Sequence, residues 1–354
     1  MIGSPLRPEH RDHLRTSGLS DDTIAASGIC SLSEADAARL GYPNGLTGIG
    51  FPYPGPGIRV AGQDVPYTRI RVDPDHQRRD GLKYENPLGR RIEKGLTYYP
   101  YIPPGVEKLQ KKANHPVLIT EGEKKALKLT QEGFPAIGLP GVFMFSDPGS
   151  DKPPAKKALH PELQRWRWRK RAVLICFDSD RVEKDSVALA HERLCAKLTA
   201  AGASVRVVDI PTLPGLDKTG ADDFLVHRSV EDFQQLVQNA RRWEPFVWIV
   251  ELLPEDLAPG ALPTALARWR TLGLERSERH TLAQALCRRF SALSLPEALR
   301  VLGQEEPETG VMPEVLVNTR QIREVIAESW AVLRASRYGA RLFRDGPNVV
   351  LIEG

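Results

Sequence analysis

The sequence predicts an α/β core over residues 106–240, built on a mainly parallel sheet. A basic, β-rich stretch precedes it and a mainly helical region follows. Three observations lead there. Short apolar runs at 117–120, 136–139 and 172–177 have the composition of strands covered on both faces, AVLICF at 172–177 being the clearest. Stretches of helical character separate them at 123–131 and 187–198, and Gly202 suits the end of the second. The alternation closes on a strand at 205–210, which calls for parallel pairing through right-handed crossovers.

Four regions follow from the N-terminus. Residues 1–40 read as short helices carrying Leu6, His10, Leu14 and Leu19, with Ser20 as an N-cap ahead of Asp21 and Asp22. Residues 41–105 are rich in Gly, Pro and Tyr and alternate in polarity at 65–72, as a small twisted β unit does. Residues 106–240 form the α/β core. Residues 241–354 offer helices at 263–274, 277–293 and 319–335 and end on a strand-like 349–352.

A length of 354 residues allows two or three domains, and 41% apolar with 27% charged residues describes a soluble globular chain. No apolar run approaches the ~18 residues of a membrane span. The polar N-terminus does not read as a secretory signal. Four cysteines without a CxxC pair fit a reducing cytoplasm better than a disulfide framework or a zinc site. The net charge of +4 is small, but its distribution is uneven. Residues 151–171 hold eight Lys or Arg against two acids, and 59–112 hold twelve against seven, so basic charge brackets the acidic positions described next.

Two predicted strands end in acids: Glu121 with Gly122 and Glu123 after the first, Asp178 with Ser179 and Asp180 after the other. Ligands of open α/β sheets collect outside the carboxyl ends of the strands. If these strands are neighbours, Glu121, Asp178 and Asp180 share one crevice. Hard divalent ions such as Mg²⁺ or Mn²⁺ take oxygen ligands, and the two aspartates, one residue apart, are expected to point to the same side. Acids after strands also act as helix N-caps, but the two motifs together, in this order, read as a metal site. Asp222 and Asp223, opening a later helix, offer a further carboxylate or a simple cap. No P-loop occurs anywhere, so the chain carries no nucleotide motor of that kind.

Strand–Glu-Gly followed by strand–Asp-x-Asp resembles the TOPRIM domain of primases, topoisomerases and related nucleases, and residues 116–226 resemble it throughout. More narrowly, the chain is similar to bacterial DnaG-type primases and to those of phages and mobile plasmids. Lys83, Tyr84, Glu85, Asn86 and Pro87, then Tyr98, Tyr99 and Pro100, stand where such primases carry a Lys-Tyr-x-Asn-Pro element, and ITEGEKKA at 119–126 and GADDFL at 220–225 match the mobile-element versions. The resemblance implies a TOPRIM, Rossmann-like parallel sheet. It makes Glu121, Asp178 and Asp180 the metal and catalytic group, with Asp222 a further ligand. It makes Lys83, Arg69, Arg71, Lys125 and Lys218 contacts to nucleotide or template. It further implies Mg²⁺ or Mn²⁺, NTPs or dNTPs, a single-stranded DNA template and a replicative helicase or ATPase as partner, with no membrane. The sequence departs from that pattern in lacking a zinc ribbon and a helicase motor, and in placing Lys125 where many primases have an acid. The abrupt end after 349–352 leads us to expect a fragment or a relative of a longer primase–helicase.

Arg165, Arg167 and Arg169 alternate with Trp166 and Trp168, a pattern suited to phosphates and stacked bases of single-stranded nucleic acid. The same pattern suits a helix whose tryptophans pack on the sheet. Arg78, Arg79, Arg90 and Arg91 flank Lys83, as nucleic-acid contacts or as exposed loop charge. Lys124 and Lys125 oppose the dipole at a helix start, which calls for a phosphate or a carboxylate counter-ion. Primase-like nucleotidyl transfer leads the functional readings, followed by a TOPRIM nuclease and by a non-catalytic nucleic-acid-binding adaptor.

Overall fold

The computed structural model describes residues 2–303 apart from 77–81, 183, 256, 258–260, 267–268 and 270–273, and the strand segments 342–345 and 348–351. Arg78 and Arg79, the expected helix 319–335 and the last residue of the expected strand 349–352 lie outside the described residues.

The N-terminal helices α1 (Pro8–Thr16), α2 (Asp21–Ser27) and α3 (Glu34–Arg39) are short and stopped by local chemistry. Ser20 caps α2 by accepting from the Thr23 amide, and Gly28 ends it in the left-handed region. Ser33 and Asp36 close a reciprocal capping box on α3. Between α2 and α3 lies a strand not expected from the sequence, β1 (Cys30–Leu32). Three residues carry no periodicity of their own, and it is their pairing with residues 48–50 that makes them a strand. It opens an antiparallel sheet ordered β1-β2-β3-β4, with β2 Gly48–Val60, β3 Gln63–Val72 and β4 Tyr84–Glu85. In this sheet Arg71 lies opposite Tyr84, so the Lys83–Pro87 stretch is bound beside the β3 arginines.

The second sheet is ordered β6-β5-β7-β8-β9. Its strands β5 (Val117–Glu121), β6 (Ala136–Leu139), β7 (Ala172–Ile175) and β8 (Ser204–Val207) are parallel, as the alternation requires. They are joined through α4 (Glu123–Gln131), α5 (Pro161–Gln164) and α6 (Asp185–Ala200). After α7 (Ala221–His227) and α8 (Val230–Gln238), β9 (Arg241–Arg242) returns antiparallel, so this sheet extends past residue 240. The strands alternate between two cores. Leu118 and Leu174 join the core shared with the N-terminal helices and first sheet, while Val117, Ile119, Val173 and Ile175 pack on the other side with α6.

The two sheets are bonded to each other. Buried Arg69 on β3 pairs with buried Glu123 on α4 at 3.0 Å, and Tyr53 on β2 donates to the same carboxylate at 2.6 Å. The Tyr101 and Gly138 backbones exchange hydrogen bonds of 2.7 and 2.8 Å along the outer edge of β6. Beyond β9, helices Val247–Glu251, Leu262–Ala265, Arg276–Arg289 and Leu295–Val301 form a third core with Ala188 and Leu189 of α6. Buried Glu192 anchors them, accepting from the Phe246 amide at 2.9 Å and from the indoles of Trp243 and Trp248. The strands β10 (Leu342–Asp345) and β11 (Asn348–Leu351) form an antiparallel hairpin.

Candidate functional site

Strands β5 and β7 are direct neighbours, with Ile119 opposite Ile175. Their carboxyl ends therefore deliver Glu121 and Asp178 to the same rim. A cavity of about 420 Å³ opens there, between the two sheets. Glu121, Asp178, Lys125, Lys218 and Asp222 line its floor, and Arg71, Lys83 and Tyr84 of the antiparallel sheet stand opposite. His13 of α1 and Lys124 of α4 complete it. The turn from β5 into α4 runs through Gly122, whose φ of 90° an L side chain would disfavour.

The carboxylates are not equivalent. Asp178 is gripped by two ammonium groups: Lys125 Nζ at 2.9 Å from Oδ1 and Lys218 Nζ at 3.0 Å from Oδ2. Burial works against its ionised form, yet Lys125 and Lys218 outweigh it and hold Asp178 below the usual carboxylate range. Lys125 is the reciprocal case: burial would lower its pKa, but Asp178, Asp222 and Glu121 raise it. Glu121 is held by no hydrogen bond or ion pair among the described residues, and burial raises its pKa, with neighbouring Asp178 and Asp180 adding to the shift against Lys125. Asp222 is 6% exposed, its Oδ1 has no hydrogen-bond partner, and burial raises its pKa as well. Asp223 also lines the cavity but caps α7, accepting from the Gly220 amide at 2.9 Å, whereas Asp222 keeps an unpartnered oxygen.

Asp180 departs from expectation. The chain turns into a 3-10 helix at Ser179–Val182, so the alternation of an extended strand does not continue past β7. Asp180 pairs with Lys184 at 2.6 Å and is absent from the cavity lining, although it stays near enough to act on Glu121. The loop carrying Lys218 is stitched to this turn: the Thr219 amide donates to Ser179 Oγ at 2.9 Å and the Ser179 amide donates to the Thr219 carbonyl at 3.0 Å.

Of the expected cations, Arg71, Lys83, Lys125 and Lys218 reach the cavity, Lys83 and Lys218 being exposed. Arg69 lines it too, but is committed to Glu123 and lies over the Tyr84 ring at 5.0 Å. For the tryptophans of the Arg165–Arg169 segment, the structure follows the second expectation, packing in the core, and the segment lies away from the cavity. It precedes β7, at the amino end of the sheet, whereas the cavity is at the carboxyl end. Trp166 and Trp168 are buried, stack on each other and pack in the core, so no indole face is presented to a base. Arg165, Arg167 and Arg169 are exposed. The basic residue that matters most structurally is Arg171, fully buried over Trp166 and donating to the carbonyls of Leu109, His115 and Arg167.

The sequence reading missed His13. Its Nε2 lies 3.3 Å from Lys124 Nζ, and burial, then Lys124, push its pKa down to about 4. Lys124 donates to Ser17 Oγ at 2.7 Å, and burial lowers its pKa. Only the proximity of α1 to α4, separated by over a hundred residues, reveals this pair.

The carboxylates facing the cavity offer oxygens, the chemistry a hard divalent ion takes, and Asp222 Oδ1 is buried and unused. The residues fit such an ion in kind. Asp178 is occupied by Lys125 and Lys218, and among the described residues no three His, Cys, Asp or Glu groups are drawn together closely enough to hold one ion. Nor is any described helix long and apolar enough to cross a membrane.

Residues 107–232 match the model of a family described as a domain of unknown function, DUF3854. An uncharacterized protein of Picosynechococcus sp. is 36% identical over 122 residues, a stretch that makes up 33% of this chain and 12% of that relative's length. Among solved structures, the DnaG primase catalytic domain bound to ssDNA is 17% identical with a TM-score of 0.48, over 84% of this chain and 93% of that one. The RNA polymerase domain of Mycobacterium tuberculosis primase DnaG is 13% identical with a TM-score of 0.47, over 80% and 90%. The zinc-binding and RNA polymerase domains of the Aquifex aeolicus primase are 14% identical with a TM-score of 0.44, over 83% and 70%.

Proposed function

We propose that the chain is a primase-like nucleotidyltransferase acting on single-stranded DNA with Mg²⁺ or Mn²⁺, and that residues 116–226 are a TOPRIM domain. The carrying observation is the single cavity in which Glu121, Asp178 and Asp222, at the carboxyl rim of a parallel sheet, face Arg71, Lys83 and Tyr84 of a separate antiparallel sheet. Carboxylates and lysines on one wall, facing Arg71 and Lys83 on the other, suit a polyphosphate that needs both a bound cation and direct basic partners. Glu121, Asp178 and Asp222 would hold the ion, with Asp180 nearby, and the ion when bound would supply charge neutralisation at the phosphates. Lys83, Arg71 and Lys218 bind and orient phosphate oxygens of nucleotide or template, which is most of what phosphoryl chemistry requires of protein. On this reading the incoming molecules are NTPs or dNTPs, a replicative helicase or ATPase is the partner, and the setting is cytoplasmic replication of a phage or plasmid type.

Incubation with single-stranded DNA, NTPs or dNTPs and Mn²⁺ tests it. Oligonucleotide products are expected, falling on the order of a hundredfold or more in the Asp178→Ala, Asp180→Ala double variant. Shortened DNA would establish a nuclease instead. Binding without chemistry, unchanged in the double variant, would establish an adaptor.

A further inference from the structure

Lys125 occupies a position that the metal reading leaves unexplained. It sits at the start of α4, in the turn where a positive charge is least favoured by the helix dipole. Its side chain does not escape to solvent, being only 18% exposed, and its ammonium lies 2.9 Å and 3.0 Å from the two oxygens of Asp178. Asp222 and Glu121 also act on it. Gly220 makes this placement possible. A Cβ built there would fall 2.3 Å from Lys125 Cε, 2.8 Å from Asp222 Oδ1 and 3.2 Å from Asp178 Oδ1. The backbone has thus been stripped of a side chain at the point where the lysine stem passes between the two carboxylates.

We propose that Lys125 is a built-in counter-ion, bonded to Asp178 and acting by charge on Asp222 and Glu121 in place of a divalent ion, and competing with that ion for the three carboxylates. This rests on the metal reading of the cavity. Three ionised carboxylates alone would carry three negative charges, of which the largely buried Lys125 offsets one and the more exposed Lys218 another, and buried charge is tolerated only when paired. An entering divalent ion must therefore displace the ammonium from Asp178, and its apparent affinity is reduced by the strength of that bond.

The test compares wild type with Lys125→Met and Lys125→Arg, the full chain being used throughout. Mn²⁺ binding is followed by loss of the free-ion electron paramagnetic resonance signal, and thermal unfolding is measured in EDTA and in Mn²⁺. Lys125→Met is expected to bind Mn²⁺ at least tenfold more tightly than wild type, while Lys125→Arg, still cationic, gains nothing. In EDTA the Met variant should melt below wild type, and Mn²⁺ should raise its midpoint more than that of wild type. A variant that folds only with Mn²⁺ present also supports the proposal. If Lys125→Met folds under neither condition, the same comparison is made on Lys125→Gln, a polar, uncharged replacement that leaves all three carboxylates in place and is again expected to bind Mn²⁺ more tightly than wild type. Equal, measurable affinities in wild type and Lys125→Met would overturn the counter-ion role and leave the metal reading standing. Absence of Mn²⁺ binding in every variant would overturn both.

Discussion

Arg171 shows how a single side chain can be misjudged from its neighbours. In a run of alternating Arg and Trp it looks like one more surface cation, yet it is fully buried and donates to the carbonyls of Leu109, His115 and Arg167. Its guanidinium ties the segment before β7 to the loop before β5. Replacing it by Met would leave the His115 and Arg167 carbonyls without this donor, the Leu109 carbonyl keeping the Lys112 amide, at a cost of about 2–4 kcal/mol. Urea denaturation of Arg171→Met should show that loss. Arg167→Met, an exposed neighbour, should stay within about 0.5 kcal/mol of wild type. Equal effects would mean that Arg171 is no more than a surface charge. Glu121 and Asp178 were legible for the opposite reason. An acid directly after an apolar strand is a local pattern, and the parallel pairing of β5 with β7 converts it into proximity. Asp180 was legible as an acid but not in direction, because the 3-10 turn at Ser179 is imposed by its bonds to Thr219, forty positions away.

At the level of elements, the helix over Glu123–Gln131 and the strand over Ala136–Leu139 coincide with the spans expected from pattern alone. Both are local in origin: an apolar face at helical spacing, and a run too short for anything but a strand. β1 and β9 were not foreseen, since each is three residues or fewer and exists through its partner strand. The joint between the sheets was equally hidden. Glu123 belongs to the motif that marks the site, but its carboxylate points away from that role, accepting from Arg69 and Tyr53. Glu123→Ala should therefore destabilise the fold by about 3–5 kcal/mol by stranding the buried Arg69 guanidinium. Chemical denaturation checks the size of the loss. Paired with Arg69→Met, which removes the stranded charge, the double variant should recover part of it, and strict additivity of the two losses would show that the residues do not form a coupled joint.

For the molecule as a whole, stability should respond to acid through buried histidines. His160 is fully buried, its Nδ1 accepting from the Glu162 amide and its Nε2 lying 3.0 Å from the Tyr98 carbonyl, to which it donates. Burial lowers its pKa from 6.5 to about 4. Between those values the unfolded chain takes up a proton that the folded one refuses. Stability contributed by neutral His160 is thus complete above about pH 6.5 and is lost as pH falls towards 4. His160→Gln, whose amide can serve both bonds, should remove about 2 kcal/mol of the difference in unfolding free energy between pH 7 and pH 4.5. An unchanged difference would show that His160 takes up its proton alike in the folded and unfolded chain.

The backbone bridge between Tyr101 and Gly138 carries a consequence for how large molecules reach the cavity. By consuming hydrogen-bonding groups along the outer margin of β6, it ties the segment after β4, whose Tyr101 ring packs on Tyr53 of β2, to the parallel sheet at a second point, away from the Arg69–Glu123 contact. Two fixings prevent the jaws from swinging apart about a hinge without stranding peptide groups in the interior. On the proposed reading, a polymer would pass along the mouth beside Lys83 and Lys218, the exposed cations of the cavity lining, rather than being enclosed by a closing clamp.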